Sequence, residues 1–353
     1  MRHCISMAAA VWLLLGTPCG AALPTMERPA ADQWVLQLPA RLPDDPAQAL
    51  QQALRSGDAR ALGLIEARLQ ADEGDQALLL RAYIAQHQHD YAQALALLDR
   101  LLLRRPRDAV ARHVRVDVWL AQGEIRRAAT ECAALALGLD GLRGTLCSAA
   151  LAARRGQTSA AQSVLRPLLD DSTLAAPLQR YAWCLAGDVA LQAGDLVGAE
   201  SAWEGALARD PADPGARLRL LRLWRAQGRL ERIDSLLVDM PESDAVLMER
   251  AWLARARGQM QQAQAIAARL EARFQEAEWA GSGLELADWA RWRAEWQRDL
   301  NGALALAKRN FETQRSESDE RLLRDLAEVL DDRVALSALN DWRRSQGLPE
   351  SLQ

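Results

Sequence analysis

The chain has 353 residues, of which 50% are apolar and 25% charged, and its formal net charge is −4. That is length enough for a sizeable buried core and too apolar for a disordered chain. The slight acidic excess argues against a general nucleic-acid binder, which carries a basic surplus. Lys308 is the single lysine, so 42 of the 43 basic residues are arginine.

The first two dozen residues read as an address rather than as part of a fold. Arg2 precedes an apolar run over residues 5–15, in which Ser6 is the only polar residue, and residues 16–22 are small apart from the breaker Pro18. This is the three-part pattern of a secretory signal peptide. The run is well short of the roughly 20 residues a membrane span needs. Cleavage is expected after Ala22, which makes residues 1–22 a signal peptide and the mature chain periplasmic or secreted. Lipid attachment at Cys19 is disfavoured by its neighbours Gly16-Thr17-Pro18. Residues 23–44 carry prolines at 24, 29, 39 and 43 and are expected to form an extended N-terminal arm.

Beyond the arm, one turn recurs. It is seen at Gly57-Asp58, His89-Asp90, Gly123-Glu124, Gly156-Gln157, Gly194-Asp195, Gly228-Arg229 and Gly258-Gln259, in steps of 32, 34, 33, 38, 34 and 30 residues. Arg298-Asp299 is a weaker eighth occurrence. Self-similarity at such a period is the mark of a repeat architecture. Five residues into each unit from the turn stand Ala94, Ala128, Ala161, Ala199, Ile233 and Ala263, small enough in all but one case for two helices to approach closely. Nine residues from it stand Leu98, Cys132, Leu165, Trp203, Leu237 and Ala267, an inward column. Before the turn, Ala82, Val116, Ala149, Gly187, Leu221 and Ala251 share a face with residues three positions later, among them Trp119 and Trp224. Asp45-Pro46, Asp108 and Asp213-Pro214 are helix-start signals, with aspartate as the cap and proline suited to the first turn.

These features together resemble tetratricopeptide repeats. The segment from Gly187 through Ala190, Gly194-Asp195-Leu196, Ala199, Trp203 and Ala206 to Pro211 carries the resemblance best. Ile233 and the missing glycine of the last unit depart from the pattern. The resemblance implies an all-α fold, a right-handed α-solenoid of antiparallel helix pairs, whose first helices line a concave face that holds peptides or proteins. Repeats are expected over residues 45–318 and capping helices over 319–353. Glu320, Arg321, Arg324, Asp325 and Glu328 would give the cap a solvated face.

Sites for chemistry are absent. No zinc-peptidase, nucleophile-elbow or phosphate-loop motif occurs, and His87 and His89 are two apart, which does not suit metal ligation from one helix face. No catalytic residue, metal or cofactor is expected. In an oxidising compartment the mature chain's three cysteines can pair. Cys132 and Cys147 lie on consecutive helices, so a Cys132–Cys147 disulfide is expected, with Cys184 free and buried.

The concave column six residues before the turn reads Tyr83, Asp117, Ala150, Asp188, Arg222, Trp252 and Trp292. With its neighbours it gathers Arg222, Arg225, Arg255, Trp252, Trp292 and Trp296 in the C-terminal half. Arginine and tryptophan are frequent binding hot spots. The same tryptophan spacing also suits one face of a helix packed in a core. The expected function is a non-enzymatic scaffold binding an exported protein or peptide at this face, with neither nucleic acid nor a membrane span involved. A structural subunit or assembly factor of an envelope complex, and a glycan-binding scaffold, are the alternatives.

Overall fold

The computed structural model describes residues 42–56, 59–280 and 285–349. The signal peptide, all but the last residues of the arm and the Gly57-Asp58 turn lie outside the described residues. Those described form eighteen α-helices and no strand. They pair as α1 (Pro46–Ser56) with α2 (Ala59–Leu69), α3 (Asp75–His87) with α4 (Tyr91–Arg104), α5 (Ala109–Ala121) with α6 (Ile125–Ala134), and α7 (Gly141–Arg154) with α8 (Thr158–Leu169). Next come α9 (Ala176–Gln192) with α10 (Leu196–Arg209), α11 (Pro214–Ala226) with α12 (Leu230–Leu237), and α13 (Asp244–Ala256) with α14 (Met260–Ala280). The last pairs are α15 (Leu286–Trp292) with α16 (Leu300–Thr313) and α17 (Glu317–Val329) with α18 (Arg333–Gln346). Helices α6 and α15 each run on into a widened turn, over Leu135–Leu139 and Arg293–Gln297. No helix among the described residues is long and apolar enough to cross a membrane.

The recurring turn has one geometry. A left-handed residue closes the first helix of each pair from α3 onward: His89, Gly123, Gly156, Gly194, Gly228, Gly258, Arg298 and Asp331. In seven of the eight the next residue's N–H then reaches back to a carbonyl five positions earlier, as from Glu124 to Trp119 (2.8 Å) and from Asp195 to Ala190 (2.9 Å), and Asp299 reaches back six, to Arg293 (3.0 Å). Left-handed backbone costs a non-glycine residue about 1–2 kcal/mol. At each of the three non-glycine turns the following residue is an aspartate that caps the second helix. Asp90 accepts from the Gln93 N–H (3.0 Å), Asp299 from Gly302 (2.8 Å) and Asp332 from Ala335 (2.9 Å). Such a cap contributes about 1 kcal/mol, which offsets much of the strain. Glu124, Gln157 and Arg229, which follow glycines, make no such bond.

The columns behave as their residue types demand. Ala94, Ala128, Ala161, Ala199 and Ala263 are wholly buried between paired helices, and Leu98, Cys132, Leu165 and Trp203 fill the space beside them. Gly187 has no room for a side chain, because a Cβ there would overlap the Trp203 indole. Asp45, Asp108 and Asp213 all cap helices as expected.

The stack of pairs curls until its last pair meets the third and fourth. The Arg315 N–H, just before α17, donates to the Ala121 carbonyl at the end of α5 (2.6 Å). The Ile125 N–H donates to Gln346 Oε1 on α18 (3.1 Å), and Arg154 on α7 donates to the Arg315 carbonyl (3.1 Å). Gly123 abuts α18 so closely that a Cβ would lie 2.6 Å from Trp342 Cζ2. Leu348, beyond α18, is buried in the same core cluster as Val116, Ile125 and Leu151.

At the centre of this clasp is Glu320, which is 0% exposed. Its carboxylate is ion-paired with Arg343 of α18, lies 3.5 Å from Arg324 and lies 3.7 Å from Arg154 of α7. The expectation that Glu320 belongs to a solvated cap face is therefore corrected. The curl of the stack covers that face, and three guanidinium groups replace its water.

His89 does more than close its turn. Its Nε2 lies 3.1 Å from Glu285 Oε1, at the start of α15. Burial lowers the His89 pKa, but the hydrogen bond and charge of Glu285 outweigh burial and leave it above 6.5. The contact is thus fully present below about pH 6.5 and is lost as pH rises through the higher folded-state value. The stability difference between the native chain and His89→Gln is expected to shrink from about pH 5.5 to about pH 8.5. Denaturant midpoints across that range check it, and a constant difference would contradict it.

Candidate functional site

The concave face is lined by the first helices of the pairs, and its C-terminal half is built by α11, α13 and α15. All six expected arginines and tryptophans meet there, in distinct environments. Trp292 is 0% exposed and belongs to the core, where its Nε1 donates to Glu271 Oε1 (3.1 Å). Trp289 is buried beside it. Trp296 stacks on Trp292 at 4.6 Å and 13°, and Trp252 tilts against it at 6.0 Å. Trp252 and Trp296 are only partly buried. The choice between groove and core therefore divides within the one cluster, with Trp292 as floor and the other two rings as wall.

Two of the three arginines are already occupied. Glu249 on α13 is buried between them, 3.6 Å from Arg222 and 3.2 Å from Arg225. Burial raises its pKa, and the two arginines oppose the rise. Arg222 also reaches Asp288 (3.4 Å), and Arg225 reaches Glu295 (3.0 Å). These two pairs tie α11 to α15 and to the widened turn that follows it. The Arg225 guanidinium lies 3.8 Å from the Trp252 ring centroid. Arg255 differs: its guanidinium stands over Trp296 at 5.1 Å, and no carboxylate pairs with it among the described residues. Nearby, Tyr91, Arg222, Glu285, Asp288, Arg291 and Asp319 line a polar cleft of about 200 Å³.

The sequence argument missed the acids that neutralise Arg222 and Arg225. One signal was present, because Glu295 occupies the same column as Arg225 and Arg255. Glu249 and Asp288 stand at other offsets, so a column taken at one register does not show them.

In the N-terminal half, His113 and Tyr181 meet edge-to-face at 5.7 Å and 78°, and His113 Nε2 lies 3.9 Å from Asp117. Cys132 of α6 and Cys147 of α7 form the expected disulfide, with their Cα atoms 5.6 Å apart. Cys184 is free, but it is half-buried rather than buried. Burial pushes its thiol up to about 11, which keeps it protonated at neutral pH. No group of residues able to hold a metal occurs among the described residues.

No family model matches the chain, and no curated protein matches it. Among solved structures it is similar to Cut9 in the APC/C Cut9–Hcn1 hetero-tetramer, with 15% identity, 86% of this chain and 60% of that chain covered, and a TM-score of 0.50. The chain has the tetratricopeptide-repeat fold. It is also similar to PilW, a type IV pilus biogenesis factor, with 22% identity, 58% of this chain and 95% of that chain covered, and a TM-score of 0.45. A tetratricopeptide repeat protein from Parabacteroides merdae matches at 17% identity, with 71% and 98% covered and a TM-score of 0.41. At these identities the likeness is one of fold. α17 and α18, where the capping helices are expected, are joined by the same left-handed turn at Asp331.

Proposed function

We propose that this tetratricopeptide chain is a non-enzymatic scaffold of the periplasm or cell exterior that holds a segment of another exported protein on its concave face. Arg255 carries the proposal. Among the described residues it is the inner-wall arginine of the cluster without a carboxylate, it stands over the part-open Trp296 ring, and it shares α13 with the part-open Trp252 three positions earlier. An arginine of this kind accepts a carboxylate, while the rings cover apolar surface. The ligand is accordingly an acidic or C-terminal segment. Arg222 and Arg225 shape the wall through their own acid partners, and Trp292 supports the rings from below. The Cys132–Cys147 bond supports export, since such bonds persist in oxidising compartments.

The test combines Arg255→Glu, Trp252→Ala and Trp296→Ala in the mature chain and leaves the core residue Trp292 in place. A client captured from the native periplasm by crosslinking is then titrated against both forms. Binding is expected to weaken at least roughly 30-fold, the effect of losing one hot-spot side chain or more. Equal affinity for two equally folded forms, judged by circular dichroism, would move the site away from this face.

A further inference from the structure

The N-terminal half of the inner wall carries a carboxylate without a counter-charge. Elsewhere on that wall the acids are matched: Asp188 holds Arg219 at 2.6 and 2.9 Å, Asp288 holds Arg291 at 2.9 Å, and Glu249 and Glu295 hold Arg225. Asp117 on α5 accepts no hydrogen bond and meets no arginine or lysine among the described residues. Its one charged-type neighbour is His113, 3.9 Å away, whose pKa burial pushes down to about 4, so the ring is neutral. The Asp117 side chain is nevertheless 29% exposed and therefore open to the lumen.

What surrounds it is aromatic. Tyr83 occupies the same register position on α3, and Tyr181 of α9 packs on His113. Burial first, and the Asp117 charge second, raise the phenol pKa of both tyrosines, Tyr83 to about 12. The carboxylate thus acts on a ring to either side. Ala150, at the equivalent position on α7 between them, contributes only a methyl group. Arg143 of α7, whose charge acts on His113 and Tyr83, is paired with Asp140. His113 Nδ1 is buried without a partner.

We propose that Tyr83, His113, Asp117 and Tyr181 form a cage for an alkylammonium group, the side chain of a lysine on the client segment. This rests on the scaffold reading, and it assigns the client a second anchor of opposite sign to the one at Arg255. Aromatic faces attract a cation through the ring quadrupole, and more strongly where water is excluded. A compact ammonium on a slender stem is matched by one carboxylate and ring faces, without the planar two-pronged geometry that a guanidinium exploits. Burial holds the Asp117 pKa up to about 7, so binding tightens as pH rises through neutrality and a proton is released. The groups facing Asp117 do not confound this. His113, Tyr83 and Tyr181 stay neutral across that range, and Arg143 and Arg219 stay paired with Asp140 and Asp188.

The cage is tested without any client, so its failure and that of the scaffold reading are separate results. The mature chain is titrated with n-butylammonium chloride, followed by ligand-observed magnetic resonance, with n-butanol as the uncharged control. Binding of the ammonium alone is expected, at least roughly tenfold weaker in Asp117→Asn and in Tyr181→Leu, and tighter at pH 8 than at pH 6. Asp117→Asn removes a buried charge without changing shape, so it is expected to fold at least as stably as the native chain. No binding to the native chain, or equal binding to native and Asp117→Asn, would overturn the cage.

Discussion

Replacing Glu320 by glutamine is expected to lower the unfolding free energy by about 3–5 kcal/mol, the range for removing one partner of a buried ion pair. The substitution keeps shape but turns one accepting oxygen into an NH2 donor, and it strands Arg343, Arg324 and Arg154 around a neutral group at a site with no access to water. Because Arg154 belongs to α7, part of the loss falls on the contact between the last pair and the fourth. A double-mutant cycle with Arg154→Met separates that part. Glu317→Gln, in an ordinary i, i+4 pair with Arg321, is the control and is expected to cost under about 1 kcal/mol. Denaturant unfolding of the three variants decides the matter. A Glu320→Gln midpoint no lower than that of Glu317→Gln would show that the clasp contributes nothing.

Reducing the Cys132–Cys147 bond is expected to cost about 3 kcal/mol, the chain-entropy value for a loop of about 15 residues. The bond ties the second helix of one pair to the first helix of the next, so it fixes a junction between units. That junction shares a core cluster with Leu348. Loss of the bond is therefore expected to be non-additive with Glu320→Gln, since both loosen the same seat. Cys184→Ala removes the third thiol and prevents exchange. In that background, unfolding with and without reductant gives the cost, and alkylation of the unreduced mature chain should label no cysteine. Labelling of both Cys132 and Cys147 before reduction would disprove the bond.

The repeat was legible because it is written locally. A left-handed turn needs glycine or a well-capped substitute, and close helix approach needs alanine, so both leave periodic traces. The weak eighth turn at Arg298-Asp299 carries the same trace, since the aspartate cap stands in for the glycine. Asp331-Asp332 follows the same rule, yet two adjacent acids in a charged segment look like surface. The clasp left no trace, because Gly123 is already accounted for by its turn and Glu320 by its charged helix. Only the curvature of the whole stack brings Trp342 to one and Arg154 to the other. At the concave face the residue types were visible and their neutralisation was not. Arg222 and Arg225 meet acids from two pairs away, and Asp117 is distinguished by a partner it lacks.

The closure also changes how the molecule would bear a load. An open array of repeats has only nearest-neighbour contacts. Pulled from its two ends, it peels one pair at a time from whichever end is weaker. Here the last pair is fastened to the third and fourth, so tension applied at the C-terminus meets the buried Glu320 cluster before the last pair can peel. A force-extension trace should then show one high initial rupture followed by smaller steps, and Glu320→Gln should remove the first peak while leaving the rest.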